Sequence, residues 1–280
     1  MIAQLASAVV RAILVVIVIS TPSLLLPGAT PESAQVVALV ALFCAFFTFS
    51  EYASTYPGLI EFRDAPPFNR VRAVSLFITL FALSIAATGA EAPQTLALIV
   101  NATGLVVAHA IDFPYSPINL LGTLLQDDIS PAELTRLRTM GGLSFLIGLV
   151  TLSIFAVLMR VHGWPNRKAK FNVWVNLPTF DPTVGGDVVV RLTRDSRINI
   201  ILGFVLPFLM PILASLGIRQ LGLSVSTSPQ TLVWVVTLWS FLPVSLFMRG
   251  MAMARVAAMV TARRRYLTRQ MDMQGGLQPV

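Results

Sequence analysis

Blocks of about twenty mostly apolar residues recur along this chain, and no other feature constrains its fold as tightly. They fall at roughly 5–26, 33–50, 71–88, 95–111, 141–159, 198–216 and 231–248. A helix that crosses a bilayer needs about 20 such residues. Only 12% of the 280 residues are charged, against about 25% in an ordinary soluble domain. Seven helices that are apolar all round would leave too little polar chain to coat them in water. The pattern therefore predicts an all-α polytopic transmembrane bundle of about seven spans, occupying residues 1–250. Residues 251–280 form a basic amphipathic tail.

The punctuation between the blocks is legible. Thr30-Pro31, Ser130-Pro131 and Ser228-Pro229 each read as an N-cap followed by Pro at the first helical position, where the missing N–H costs nothing. Ser130 with Glu133 also fits a capping box. The helix it starts is expected to be short and to lie at the surface, ahead of the span at 141–159. The segment 115–125 is too short to cross and is a candidate re-entrant piece. In the long polar loop 160–197, Phe171 to Val175 and Asp187 to Arg191 are rich in β-branched residues. They predict a small β-hairpin excursion.

Charge sets the expected orientation. The net charge is +7. Seven Lys and Arg lie between Arg160 and Arg197, and six more lie between Arg249 and Arg269. The positive-inside rule places both segments in the cytoplasm. Seven crossings then leave Arg63, Arg70 and Arg72 on the outer side, against the same rule; an eighth crossing or a re-entrant 115–125 would remove the conflict. The basic residues occupy loops and the tail rather than a separate basic domain, so nucleic acid is not an expected partner. The expected location is a bacterial inner (plasma) membrane, and the first apolar run is read as a retained span.

Few residues offer chemistry. Cys44 is the only cysteine, inside an apolar run, so no CxxC pair exists for zinc or redox work. His109 and His162 are the only histidines. They are expected about a bilayer apart, ~30 Å, so they cannot share a haem. Gly142-Leu143-Ser144-Phe145 lacks the pattern of a serine nucleophile, and no phosphate-binding glycine loop is present. No cofactor and no metal site are expected. Glu61, Arg63 and Asp64 read as an acid–base cluster or, more simply, a salt-bridged loop.

Three groups of residues are candidates for function. Asn101 and Asp112 lie near one line of a helix over 95–111, with His109 on its flank. Polar groups in a span are costly and usually face protein or water, so this is a candidate intramembrane polar site. The plainer alternative is hydrogen bonding to a neighbouring helix. Pro207, Pro211 and Pro243 each remove a helix hydrogen bond and are candidate hinges or static kinks. Arg255, Arg263, Arg264, Arg265 and Arg269, interleaved with methionines and valines, are candidate contacts to anionic lipid or to a partner; the plainer and preferred alternative is an extension of the last span whose arginines anchor it at the interface. The function expected from these features is a non-catalytic membrane subunit or scaffold. It would bind anionic lipids, other membrane subunits or a second copy of itself. A small transporter or channel, using the 95–111 stripe and the proline-bent spans, is the alternative, and a membrane enzyme ranks third.

Overall fold

A computed structural model describes residues 2–27, 30–56, 58–88, 95–124, 130–161, 163–165, 172–180, 185–220 and 228–275, without the side chains of 173, 174, 274 and 275. The regular elements among the described residues are all helices, with no strand among them. The elements are α1 (Ile2–Leu25), α2 (Pro31–Ala53), α3 (Phe68–Thr88), α4 (Thr95–Ala110), α5 (Pro117–Leu121), α6 (Pro131–Val161), α7 (Val173–Asn176), α8 (Val188–Gln220) and α9 (Pro229–Gly275). Six of them, α1, α2, α3, α6, α8 and α9, are long and apolar enough to cross a membrane.

The expected caps form. Ser33 N donates to Thr30 Oγ1 at 3.2 Å, and Thr231 N to Ser228 Oγ at 3.3 Å. Glu133 N donates to Ser130 Oγ while Ser130 N reaches back to Glu133 Oε2, each at 3.2 Å, which completes the capping box. The helix it opens is not a separate surface piece. It runs 31 residues without a break into the apolar block. The predicted hairpin is also replaced. Asp187 caps a helix, its carboxylate accepting from Val189 N at 2.7 Å, and Val188 to Arg191 begin α8. Of the other candidate strand, 173–176 form the short α7, while Phe171 lies outside the described residues. β-Propensity lost here to continuity with the long apolar run that follows.

Long-range contacts sort the helix ends into two groups. At one end, Gln4 of α1 donates to the carbonyls of Tyr52 and Ala53 at the close of α2. Phe62 N bonds Asn176 O at 2.7 Å, and Trp164 Nε1 bonds Ala65 O at 2.9 Å. The start of α3, the end of α6, the start of α8 and the later half of α9 therefore meet here. At the other end, Ser23 accepts from Gln230 at 3.0 Å, and Arg136 donates to Ala87 O at 2.5 Å. The end of α3 and the start of α6 thus lie together. The chain between them, α4 and α5 included, makes no net passage along the bundle. This differs from the expected crossing at 95–111. At 16 residues, α4 is about 24 Å long, less than the ~30 Å hydrocarbon thickness.

Each end has its own core. Leu80, Leu83, Ile118, Leu121, Met140 and Trp239 anchor the second end, and Phe62, Phe68, Phe155, Trp164 and Met248 anchor the first. Glycines set the helix spacing. A Cβ on Gly203 would stand 2.9 Å from Pro243 O, and one on Gly250 would stand 2.8 Å from Ser196 O, so α8 and α9 approach through bare backbone. By contrast α2 packs chiefly on α1, which makes the first two helices an outlying pair. In α9 the helix passes residue 250 unbroken, and Ala252, Met253, Val256 and Ala257 are buried in the first core.

Candidate functional site

The most organised polar region lies at the first end, between α2 and α3. Helix α2 leaves its last carbonyls without intrahelical partners. Arg63 closes this end, donating to Glu51 O in the last turn at 2.8 Å, to Ser54 O at the cap at 2.7 Å and to Thr55 O beyond it at 3.3 Å. The Glu51 carboxylate in turn accepts from the N–H groups of Gly58, Leu59 and Ile60 at 3.0–3.1 Å. The loop so fixed presents Phe62 with φ at 53°. That left-handed turn is uncommon for a bulky residue, and it drives the ring into the aromatic core. Its neighbour Glu61 faces α9.

Glu61 and Arg249 form a bidentate pair, Nε–Oε2 at 2.6 Å and Nη2–Oε1 at 2.8 Å. Thr179 donates to Glu61 Oε1 at 2.7 Å, and Arg249 Nη1 donates to Asn199 Oδ1 at 3.0 Å. Four segments of chain are pinned by these two side chains. One turn into α3 from Asn69, which donates to Glu61 O at 2.8 Å, Arg72 points into the same region. Its guanidinium lies 5.5 Å from the Phe68 ring and 5.9 Å from the Phe241 ring. Its Nε is buried without a hydrogen-bond partner, and among the described residues it makes no ion pair. These groups line a half-open cleft of about 660 Å³ between the α1–α2 pair and the rest of the bundle. Val15 and Phe47 form its apolar wall.

The sequence-predicted residues occupy other places. Asn101 donates to Ala86 O at 3.3 Å and to Ala97 O at 2.9 Å, so it ties α4 to the end of α3. His109 is exposed, with Nδ1 2.9 Å from Leu105 O. Asp112 pairs with Arg138 at 3.3 Å. The three do not converge. His162 lies outside the described residues. Pro211 frees the carbonyl of Pro207, and Trp239 Nε1 from α9 occupies it at 2.9 Å. That bend is braced across the helix pair.

In the basic helix, Arg255 donates to Trp164 O at 2.9 Å. Arg264 pairs with Asp187 at 2.8 Å. That guanidinium, with the Val189 N–H, holds the Asp187 carboxyl below the usual value. Arg263 stacks on Tyr266 at 5.6 Å, whereas Arg265 and Arg269 are exposed. The expected salt-bridged loop of Glu61, Arg63 and Asp64 is present in part, Arg63 pairing with Asp64 at 3.3 Å, but Glu61 takes a partner outside the loop. Arg249 is 188 residues away, and no local spacing signals it.

Fold and site together define a helical integral membrane protein with a charged, interlocked end. Comparison with protein-family models, with curated proteins and with solved structures finds no match.

Proposed function

We propose that the chain is a non-catalytic integral membrane subunit, crossing six times, that docks an acidic partner or the anionic leaflet through the free end of α9. One observation carries the reading. Every described side chain from Ala262 to Met273 is exposed, so this basic stretch, tethered at its root by the Arg264–Asp187 pair, projects from a bundle end that is otherwise locked. A rigid mount with a projecting cationic helix suits docking, and its methionines suit an adaptable contact.

The same end is the cytoplasmic one in this proposal. Among the described residues, only Arg136, Arg138 and Arg219 lie towards the opposite end, while fourteen arginines lie towards the first end. Arg63, Arg70 and Arg72 join that majority once residues 95–111 make no crossing, so the charge conflict disappears. Transport draws less support, since the Pro207–Pro211 bend is braced by Trp239 and the polar residues of α4 are dispersed.

The test is co-purification from native membranes in mild detergent. Replacing Arg263, Arg264 and Arg265 with Gln should remove up to ~3 kcal/mol of attraction, about 1 kcal/mol per charge. Membrane insertion should be unaffected. A triple variant that keeps every bound component at low and high salt refutes docking through the tail. Impermeant-reagent labelling of single cysteines at Asn166 or Gln274 in intact cells, in a Cys44→Ala background, refutes the orientation.

A further inference from the structure

We propose that the cleft beside Arg72 is a lipid site, which holds a phosphate-bearing headgroup against the guanidinium and lays one acyl chain along Val15 and Phe47. The site is separate from the projecting tail. Its failure therefore leaves the docking proposal standing.

The charge count points to an anion. Glu61 and Arg249 neutralise each other in a bidentate pair at 2.6 and 2.8 Å. Arg72 lies beside them without a carboxylate. A part-buried cation with a buried, unpartnered Nε is costly to keep unpaired. Asp64, the other acid in the loop, is engaged by Arg63 at 3.3 Å. The guanidinium also cannot turn to solvent without leaving the Phe68 and Phe241 rings that flank it. A planar fork fixed in this way matches phosphate oxygens.

The shape of the cleft points to an amphiphile. Its polar groups, Glu61, Asn69, Arg72 and Thr179, come from the loops and from the first turns of α3, where headgroups lie. Val15 and Phe47 lie further along α1 and α2, inside segments long and apolar enough to cross the bilayer. A soluble anion has no use for that apolar wall. The α1–α2 pair is loosely attached to the bundle, which leaves a lateral path for a chain. A volume near 660 Å³ falls within the usual ligand range of about 300–1,000 Å³.

The full-length protein, purified into micelles of a phosphate-free maltoside detergent with added phosphatidylglycerol, is examined by native mass spectrometry. One phosphatidylglycerol should remain bound in the wild type and in the triple tail variant. Arg72→Gln should weaken retention about tenfold or more, as expected for loss of a charge-assisted bond, and Arg72→Lys should retain part of it. Val15→Phe, which narrows the apolar wall and leaves every polar group in place, should also weaken retention; it serves where Arg72→Gln does not fold. Wild type that retains no lipid, or Arg72→Gln that retains it equally, overturns the proposal. Displacement by millimolar inorganic phosphate, with Val15→Phe indifferent, assigns the cleft to a free anion and overturns the lipid reading.

Discussion

The two ends of the bundle are held together by different physics. At the opposite end, helices meet through Leu83, Met140, Val236 and Trp239, with Gly104 and Gly142 so close that a Cβ on Gly142 would strike Gly104 O. At the basic end, loops do the joining. Phe62, Phe68, Phe155 and Trp164 form an aromatic cluster with ring centroids 4.6–6.2 Å apart, surrounded by ion pairs and backbone hydrogen bonds. The first kind of end is robust to charge and salt but intolerant of added volume. The second tolerates volume near its open cleft but depends on individual polar partners. Function is expected where specific partners have been arranged, at the basic end.

The largest expected effect is the loss of the ring that joins both loops to the core. Trp164 is 2% exposed, donates to Ala65 O and accepts from Arg255 through its carbonyl. Trp164→Ala should destabilise the protein by about 3–5 kcal/mol, read as a lower unfolding midpoint in detergent. A shift under 1 kcal/mol would show that the loops are not structural. Next is the ion pair. Glu61→Gln removes the countercharge and one of the two acceptors that face the half-buried Arg249, which should cost about 2–3 kcal/mol. Because both partners are shielded, this cost should change little with salt; strong salt dependence would place the pair in free solvent.

The counterpart at the opposite end tests volume. Gly142→Ala puts a methyl group against Gly104 O and Ala108 N, and should cost about 1–3 kcal/mol as α4 is pushed off α6. Gly185, with open space around it, is the control position. Equal behaviour of Gly142→Ala and Gly185→Ala in a thermal melt would break the contrast between the ends.

What the sequence made legible follows the same division. Thr30, Ser130 and Ser228 announce their helices because a cap is a contact three residues long. Ser116-Pro117 carries the same signature, with Asn119 N donating to Ser116 Oγ at 3.1 Å, and could have placed α5. Residues 187–191 mislead because three consecutive valines favour strand locally. The Asp187 cap and the apolar run beyond them decide for helix. The 95–111 block misleads by composition, since it is apolar enough to span and only its length betrays it. With the six crossings proposed here, every loop before that block changes side, and Arg63, Arg70 and Arg72 join the basic majority. Glu61, Arg249 and Arg72 were illegible as a group because their proximity depends on the packing of α3 against α9.

The smallest effect concerns the bond that steadies the root of the projecting helix. Arg264 donates two bonds to Asp187, at 2.9 and 2.8 Å, and the same carboxylate caps α8 through Val189 N. Both contacts favour the ionised form, so the folded pKa lies below the ordinary 3.8. A group depressed in the folded state contributes its stability above the unfolded pKa and loses it as pH falls through the lower folded value. The contribution is therefore constant from neutral pH to about pH 5 and fades below roughly pH 4. Both side chains are about half exposed, so salt weakens the bond. A spin-label pair at Gly185 and Thr268 should report a fixed mean distance at neutral pH and a broader distribution in acid. Asp187→Asn should show the broad distribution at every pH. If the variant keeps the narrow distribution at neutral pH, the later part of α9 is positioned by its own helical continuity, and the charged tether at the basic end adds nothing to the mount from which docking is proposed.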